Sequence, residues 1–73
     1  MKIRVTGFPA ITTKEEIRRV FSEFGDIATV EMVCGKSIAY VTMSYDYQVL
    51  KAILSLDGTK ILGRMIIVEG CFS

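Results

Sequence analysis

The octapeptide Lys36-Ser37-Ile38-Ala39-Tyr40-Val41-Thr42-Met43 decides the fold of this chain. Its β-branched and aromatic residues favour a strand, and successive side chains of a strand point to opposite faces. One alternate set is apolar and is expected to face a hydrophobic core: Ala39, Val41 and Met43. The other set is expected on the open face of a sheet: Ile38, Tyr40 and Thr42.

The chain before this strand predicts another strand followed by a helix. Residues 3–6 alternate as a half-buried strand, which Pro9 ends because proline cannot continue a β-ladder. Thr13 and Glu16 have the spacing of a capping box at a helix start, and Gly25 is expected to end the helix as a left-handed cap. The buried stripe of this helix is predicted to be Ile17, Val20, Phe21 and Phe24.

A strand with an irregularity near Ala28-Thr29 then leads into the octapeptide through a tight hairpin at Gly35. Its inward side chains are predicted to be Ile27, Val30, Met32 and Cys34. Glu31 and Val33 are expected on the open face.

After the octapeptide, Ser44 is expected to cap a second helix, and Asp57-Gly58 to turn the chain. The buried stripe of this helix is predicted to be Val49, Ala52, Ile53 and Leu56. Gly63-Arg64 opens a last strand over residues 65–69. Ile67 and Glu69 are expected on the open face.

The predicted order is therefore β-α-β-β-α-β, the split βαβ of ferredoxin-like α+β domains. Right-handed crossovers place both helices on one face of a four-stranded antiparallel sheet, for which we expect the strand order 4-1-3-2. The 73 residues are expected to form a single domain, 1–73. This order separates Cys34 from Cys71 by about 14 Å. A disulfide requires Cα atoms within ~7 Å, so we expect reduced thiols.

The composition excludes several classes of function. The chain has no histidine, no CxxC pair and no phosphate-binding or nucleophile motif, so we expect no enzyme activity, no metal and no cofactor. It has no long apolar run, and its first residues already resemble a strand, so we expect no membrane span and no signal peptide. Reduced thiols predict an intracellular protein, with the nucleus favoured over the cytoplasm. A net charge of +1 gives little general attraction to a polyanion.

Residues 36–43 resemble the octamer of the RNA recognition motif family, K/R-G-F/Y-G/A-F-V-x-F/Y. The basic first residue, Ala39, Tyr40 and Val41 match, whereas Ser37 replaces glycine. Ile38 and Met43 replace aromatic residues. The resemblance spans residues 2–69 and implies the same fold. It includes a first-strand hexamer over residues 3–8, the Phe-Gly that ends the first helix, and the Leu-Gly-Arg entry to the last strand.

The resemblance implies that single-stranded RNA binds on the open face, where aromatic residues stack on bases. The corresponding positions are Arg4, Ile38 and Tyr40, of which only Tyr40 is aromatic. A guanidinium can also lie on a base, pair with a phosphate, or pair with Glu69. The other predicted RNA-binding residues are Lys36, Thr6, Thr42, Lys2 and Ile67, and Arg64 can add a phosphate contact.

These features favour a non-enzymatic module that binds single-stranded RNA weakly by itself and forms part of a longer RNA-processing protein. The alternative is a protein-interaction or self-associating domain of the same fold, because Val33, Ile38 and Ile67 can form an exposed apolar patch beside Tyr40. A ferredoxin-like acylphosphatase or copper carrier is disfavoured, because the required arginine loop and CxxC loop are absent from the sequence.

Overall fold

The computed structural model describes residues 2–33 and 35–71 and contains two helices and six strands in that part of the chain. In chain order the elements are β1 Lys2–Thr6, α1 Lys14–Ser22, β2 Ile27–Met32, β3 Ile38–Met43, α2 Asp46–Leu56, β4 Lys60–Ile61, β5 Arg64–Met65 and β6 Ile67–Cys71. None of the helices in these ranges has the length and apolar character that crossing a bilayer requires. The expectation for Cys34 lies outside the described residues.

The main sheet has four strands in the order β2-β3-β1-β6, and every neighbouring pair is antiparallel. When the four strands of this sheet are numbered 1 to 4 in chain order and read from β6 to β2, they give the predicted order 4-1-3-2. The predicted ferredoxin-like topology is therefore confirmed. The register of β2 against β3 shifts between Ile27 and Thr29, which is the irregularity predicted near Ala28-Thr29.

The hydrophobic core lies between one face of this sheet and the two helices. The predicted inward residues of β3, Ala39, Val41 and Met43, are all buried, and Met43 fills a core position without an aromatic ring. The sheet and helix residues that share this core are Ile3, Val5, Ile17, Phe21, Val30, Val49, Ala52, Leu56 and Val68. Full burial of one such side chain contributes roughly 1.5–3 kcal/mol, so burial of this set is the main favourable contribution to folding.

Both predicted helices are present, and α1 begins as its capping residues predict. The Glu16 backbone N–H donates to Thr13 Oγ1 at 3.2 Å, and the Thr13 hydroxyl donates to the Glu16 carboxylate at 3.4 Å. The helix ends at Ser22, before Gly25, whose φ of +156° is not that of a left-handed helical cap. The prediction for Gly25 was therefore wrong in its geometry. A β-carbon at Gly25 would overlap the end of the Gln48 side chain, which would have to move to make room for it.

The predicted cap of α2 was also wrong. Its N-cap is Tyr45, which makes no side-chain capping bond, and the preceding Ser44 donates its backbone N–H to the Asp26 carbonyl at 3.0 Å. This bond holds the end of β3 beside the start of β2, so the helix begins later. Asp46 in the first turn supplies a negative charge near the helix N-terminus, where it is favourable.

The last strand was predicted over residues 65–69, but the structure divides this stretch. Leu62 and Gly63, with φ of +49° and +86°, form a two-residue turn between the short strands β4 and β5. Ile66 is fully buried and bonds to the turn after α2: its N–H donates to Thr59 O at 2.8 Å, and its carbonyl accepts from Gly58 N–H at 3.0 Å. The sheet strand therefore begins at Ile67.

The turn predicted at Asp57-Gly58 is present, and Asp57 also protects the outer edge of the sheet. The Val68 N–H donates to Asp57 Oδ1 at 3.0 Å. This bond lies on the side of β6 that faces away from β1. A strand edge with unpaired N–H groups invites pairing with another chain. This hydrogen bond removes one such donor and fixes β6 against the end of α2.

Candidate nucleic-acid interface

The open face of the sheet presents its side chains in rows that cross the strands. The register places Glu31 opposite Tyr40, Tyr40 opposite Arg4, and Arg4 opposite Glu69, and we call these residues the central row. On one side lies a polar row: Thr29, Thr42, Lys2 and Cys71. On the other lies an apolar row: Val33, Ile38, Thr6 and Ile67.

Tyr40 lies near the middle of this face. It belongs to β3, an inner strand, and both of its neighbours in the central row carry charged side chains, Glu31 and Arg4. Its side chain is partly buried while the adjacent Ala39 and Val41 are fully buried, as the alternation predicts. A phenol ring in this position can present a flat surface to a nucleobase.

Arg4 is held by Glu69 on the neighbouring strand. Its Nη2 donates to both carboxylate oxygens, at 3.2 Å and 3.3 Å. This hydrogen bond, and then the charge of the carboxylate, raises the pKa of the Arg4 guanidinium above its ordinary value. The pairing with Glu69 was among the outcomes expected for Arg4. It orients the guanidinium and offsets its charge.

Lys2 forms the other ion pair on this face, with Glu31. Lys2 Nζ lies 3.6 Å from Glu31 Oε1, and both side chains are more than half exposed. Lys2 belongs to β1 and Glu31 to β2, so the pair passes over the intervening strand β3, from the polar row to the central row. The sequence placed Glu31 on this face but did not reveal this diagonal contact.

The two ion pairs make the strands of the open face electrically neutral. The cations Lys2 and Arg4 are matched by the carboxylates of Glu31 and Glu69, two charges of each sign. A phosphate would have to compete with a carboxylate for either cation. Lys36 and Arg64 are exposed, and neither forms an ion pair with another described residue.

The three residues expected to form an apolar patch beside Tyr40 lie in the apolar row and differ in exposure. Ile67 is 52% exposed, whereas Val33 and Ile38 are partly buried. Met65 is also exposed, but it belongs to β5 in the separate β4–β5 hairpin. Thr6 lies within this row and Thr42 within the polar row, so both belong to the open face as predicted.

Lys36 lies outside the strands, in the turn before β3. It helps to line a pocket of about 240 Å³ at the end of the sheet, together with Phe8, Ala10, Met32, Val33, Gly35 and Ser37. Sequence analysis did not identify this pocket, because its walls come from separate loops and strands. The structure therefore brings Arg4, Ile38, Tyr40, Thr6, Thr42, Lys2 and Ile67 onto one face, with Lys36 at its margin.

Sequence analysis also overlooked an apolar stripe on the outer side of α2. Tyr47, Leu50 and Leu54 are 74%, 60% and 81% exposed, and their spacing places them along one side of the helix. The spacing is visible in the sequence, where it does not distinguish an exposed apolar stripe from a buried one. The Tyr47 ring stacks on Tyr45, with centroids 5.9 Å apart.

Over residues 2–33 and 35–71, no group of three or more His, Cys, Asp or Glu side chains is placed to bind a metal ion. Cys71 is exposed at the end of β6 and its thiol is free. What this face offers a ligand is therefore an aromatic ring, a paired guanidinium, carboxylate acceptors and apolar side chains.

Solved structures share this architecture. The RRM domain of S. pombe Puf1 superposes with a TM-score of 0.93 over 100% of both chains, at 17% sequence identity. An RNA-binding protein named PG1 gives a TM-score of 0.91 over 100% of this chain and 95% of that one, at 20% identity. At these identities the likeness shows the fold alone.

Sequence comparisons identify relatives and a family. Zinc finger CCCH domain-containing protein 42 of Arabidopsis thaliana is 32% identical over 94% of this chain and 21% of its own length. Polyadenylate-binding protein RBP45 of Nicotiana plumbaginifolia is 33% identical over 88% of this chain and 16% of its own length. The chain thus spans only 21% and 16% of the length of these two relatives. The family model for the RNA recognition motif matches residues 3–67, and the chain belongs to the RNA recognition motif family.

Proposed function

We propose that this domain binds single-stranded RNA on the open face of its sheet, with Tyr40 as the main stacking surface. The observation that carries the proposal is the position of Tyr40, on an inner strand at the centre of the exposed face. Stacking of one base on an aromatic side chain contributes roughly 1–3 kcal/mol and tolerates any base. Membership of the RNA recognition motif family supports the same ligand.

Arg4 and Ile38 take supporting roles in this proposal. Glu69 holds the Arg4 guanidinium in place, so its flat surface is preorganised to receive a second base. Ile38 offers apolar contact but no π-face. Thr6 and Thr42 supply hydroxyls to either side of the central row, and Ile67 extends the apolar contact toward the edge strand.

Phosphate contacts are proposed to be few. Lys2 and Arg4 are already paired with carboxylates, which makes Lys36, at the margin of this face, and exposed Arg64 of β5 the more available of the predicted phosphate-binding cations. Counterion release drives much of nucleic-acid affinity, so a neutral face predicts weak binding. We therefore propose that the domain reaches useful affinity through linked sites in a longer RNA-processing protein.

The family in general binds RNA and does not catalyse reactions, and we propose the same for this domain. We also propose that residues 1–73 act as one domain of an intracellular protein, with the nucleus favoured over the cytoplasm. Fractionation of cells that express the tagged full-length protein tests the compartment.

The experiment is an NMR titration of ¹⁵N-labelled protein with a short single-stranded RNA of mixed sequence. We expect amide shifts centred on Arg4, Ile38 and Tyr40, with smaller shifts on α1, whose outer face is charged and lies on the opposite side of the sheet. A duplex RNA of the same sequence is the control and should shift these amides less. If millimolar RNA leaves the open face unchanged, the proposal is wrong.

The apolar row supports a second candidate, in which the open face binds a protein or another copy of the domain. Exposed Ile67, in one row with partly buried Val33 and Ile38, carries this alternative, because clustered apolar side chains are typical of interaction surfaces. It predicts a mass that rises with concentration in sedimentation, and a fall to the monomer mass on Ile67→Lys substitution. A monomer at all concentrations excludes self-association.

A further inference from the structure

We propose that Glu31 selects guanine for the base that stacks on Tyr40. The inference rests on the proposed function and adds to it the identity of one bound nucleotide. Its basis is the direct opposition of Glu31 and Tyr40 in the antiparallel pair of β2 and β3. Side chains in such pairs have Cβ atoms about 4.5–5.5 Å apart, on the same face of the sheet.

This distance places the carboxylate beside the base. Neighbouring strands are only about 4.8 Å apart, so a base centred on the Tyr40 ring extends past the ring edge and over the next strand. On the β2 side, the side chain at that position is Glu31, which is 62% exposed. A hydrogen bond from the base edge to this carboxylate therefore requires no movement of the backbone.

The chemistry of a carboxylate favours one base. An ionised carboxylate only accepts hydrogen bonds, and it accepts two from a ligand that has adjacent donors. Guanine is the base with adjacent donors, N1–H and N2–H₂, on its Watson–Crick edge. Uracil, cytosine and adenine each place an acceptor next to their donor, and that acceptor repels the second carboxylate oxygen.

The existing ion pairs distinguish Glu31 from Glu69, the other carboxylate of the central row. Both oxygens of Glu69 accept from Arg4, at 3.2 Å and 3.3 Å. Only one contact joins Glu31 to Lys2, at the longer distance of 3.6 Å, and exposed pairs of this kind add little stability. A guanine can therefore displace Lys2 from Glu31 at little cost.

The test compares guanosine with inosine, which lacks only the N2 amino group. A fluorescent heptanucleotide carries one guanosine or one inosine in a uridine background, and Kd is measured by anisotropy. For the wild-type protein we expect guanosine to bind about tenfold more tightly than inosine, which corresponds to the loss of one of the two hydrogen bonds to the carboxylate. The Glu31→Gln variant should reduce this ratio to near one, because its amide has an acceptor beside a donor.

Glu69→Gln is the matched control, and we expect it to keep the guanosine preference. Equal Kd values for guanosine and inosine in the wild type would overturn the inference, as would an unchanged preference in Glu31→Gln. In either case, continued dependence of binding on Tyr40 would leave the proposed function standing. If neither RNA shifts the amides of the open face, the proposed function and this inference both fail. Amide spectra of each variant establish that it is folded.

Discussion

The two faces of the sheet are built from alternate residues of the same strands, but their side chains differ in burial and in chemistry. On the covered face, Ile3, Val5 and Val41 are fully buried against the helices. On the open face, Arg4 and Tyr40 lie one residue away along the strands and remain accessible. The covered face holds the domain together through apolar packing, whereas the open face is available to a ligand.

The difference between these faces explains how the chain departs from its family's octamer without losing the fold. Met43 replaces an aromatic residue on the covered face and is still buried, with an exposed fraction of only 3%. Ile38 replaces an aromatic residue on the open face, where it is partly buried and offers a ligand no ring. The same kind of substitution therefore affects packing on one face and ligand binding on the other.

The largest expected effect is a difference in stability between substitutions at two neighbouring residues of β1. Ile3→Ala removes most of a fully buried side chain and should lower the free energy of unfolding by about 2–5 kcal/mol. Arg4→Ala removes an exposed side chain whose ion pair is solvated, so its denaturation midpoint should stay close to that of the wild type. Urea denaturation followed by circular dichroism measures both. Similar losses for the two variants would contradict the division between the faces.

A smaller effect should follow from restoring an aromatic residue to the open face. Arg4→Tyr places a second ring beside Tyr40 at a stacking position of the family, and we expect RNA affinity to rise about tenfold. Arg4→Leu is the control, since it removes the same cation and adds no π-face. Isothermal titration with a short single-stranded RNA measures the change. Equal affinities for the tyrosine and leucine variants would exclude stacking at this position.

The smallest expected effect concerns salt. Each phosphate contact to single-stranded RNA changes the slope of log K against log salt by about 0.7. With Lys2 and Arg4 paired, we expect a shallow slope for the wild type. Glu69→Gln releases Arg4 and should steepen the slope by about 0.7, whereas Glu23→Gln on the helical side should not change it. Kd values at several salt concentrations test this, and identical slopes for all three proteins would argue against charge neutralisation by Glu69.

The alternation of side chains allowed the strands of the sheet, the order of the elements and the two faces to be predicted. Each of these depends on local periodicity, which Ile3, Arg4 and their neighbours display clearly. The diagonal Lys2–Glu31 pair could not be predicted, because it depends on the register between three strands and on the shift near Ile27. The additional hairpin was missed because Leu62 adopts a positive φ that leucine seldom takes.

The site itself was predictable only as a set of positions. The pattern placed Tyr40 and Arg4 on the open face, and it named Glu69 as one partner for Arg4. It did not reveal that both strand cations of this face are paired, which depends on side-chain reach across the sheet. Ser44 shows the same limit at a helix start, because its backbone bond to Asp26 keeps it beside the sheet and Tyr45 takes the N-cap position.

The central claim is that RNA binding depends on stacking against Tyr40. The most direct measurement is the Kd of a short single-stranded RNA for the wild type, Tyr40→Phe and Tyr40→Ala. We predict that Tyr40→Phe, which keeps the ring, binds within about twofold of the wild type, and that Tyr40→Ala loses roughly 1–3 kcal/mol of binding free energy. Amide spectra should show that both variants retain the fold. Equal affinity of the alanine variant and the wild type would contradict the account.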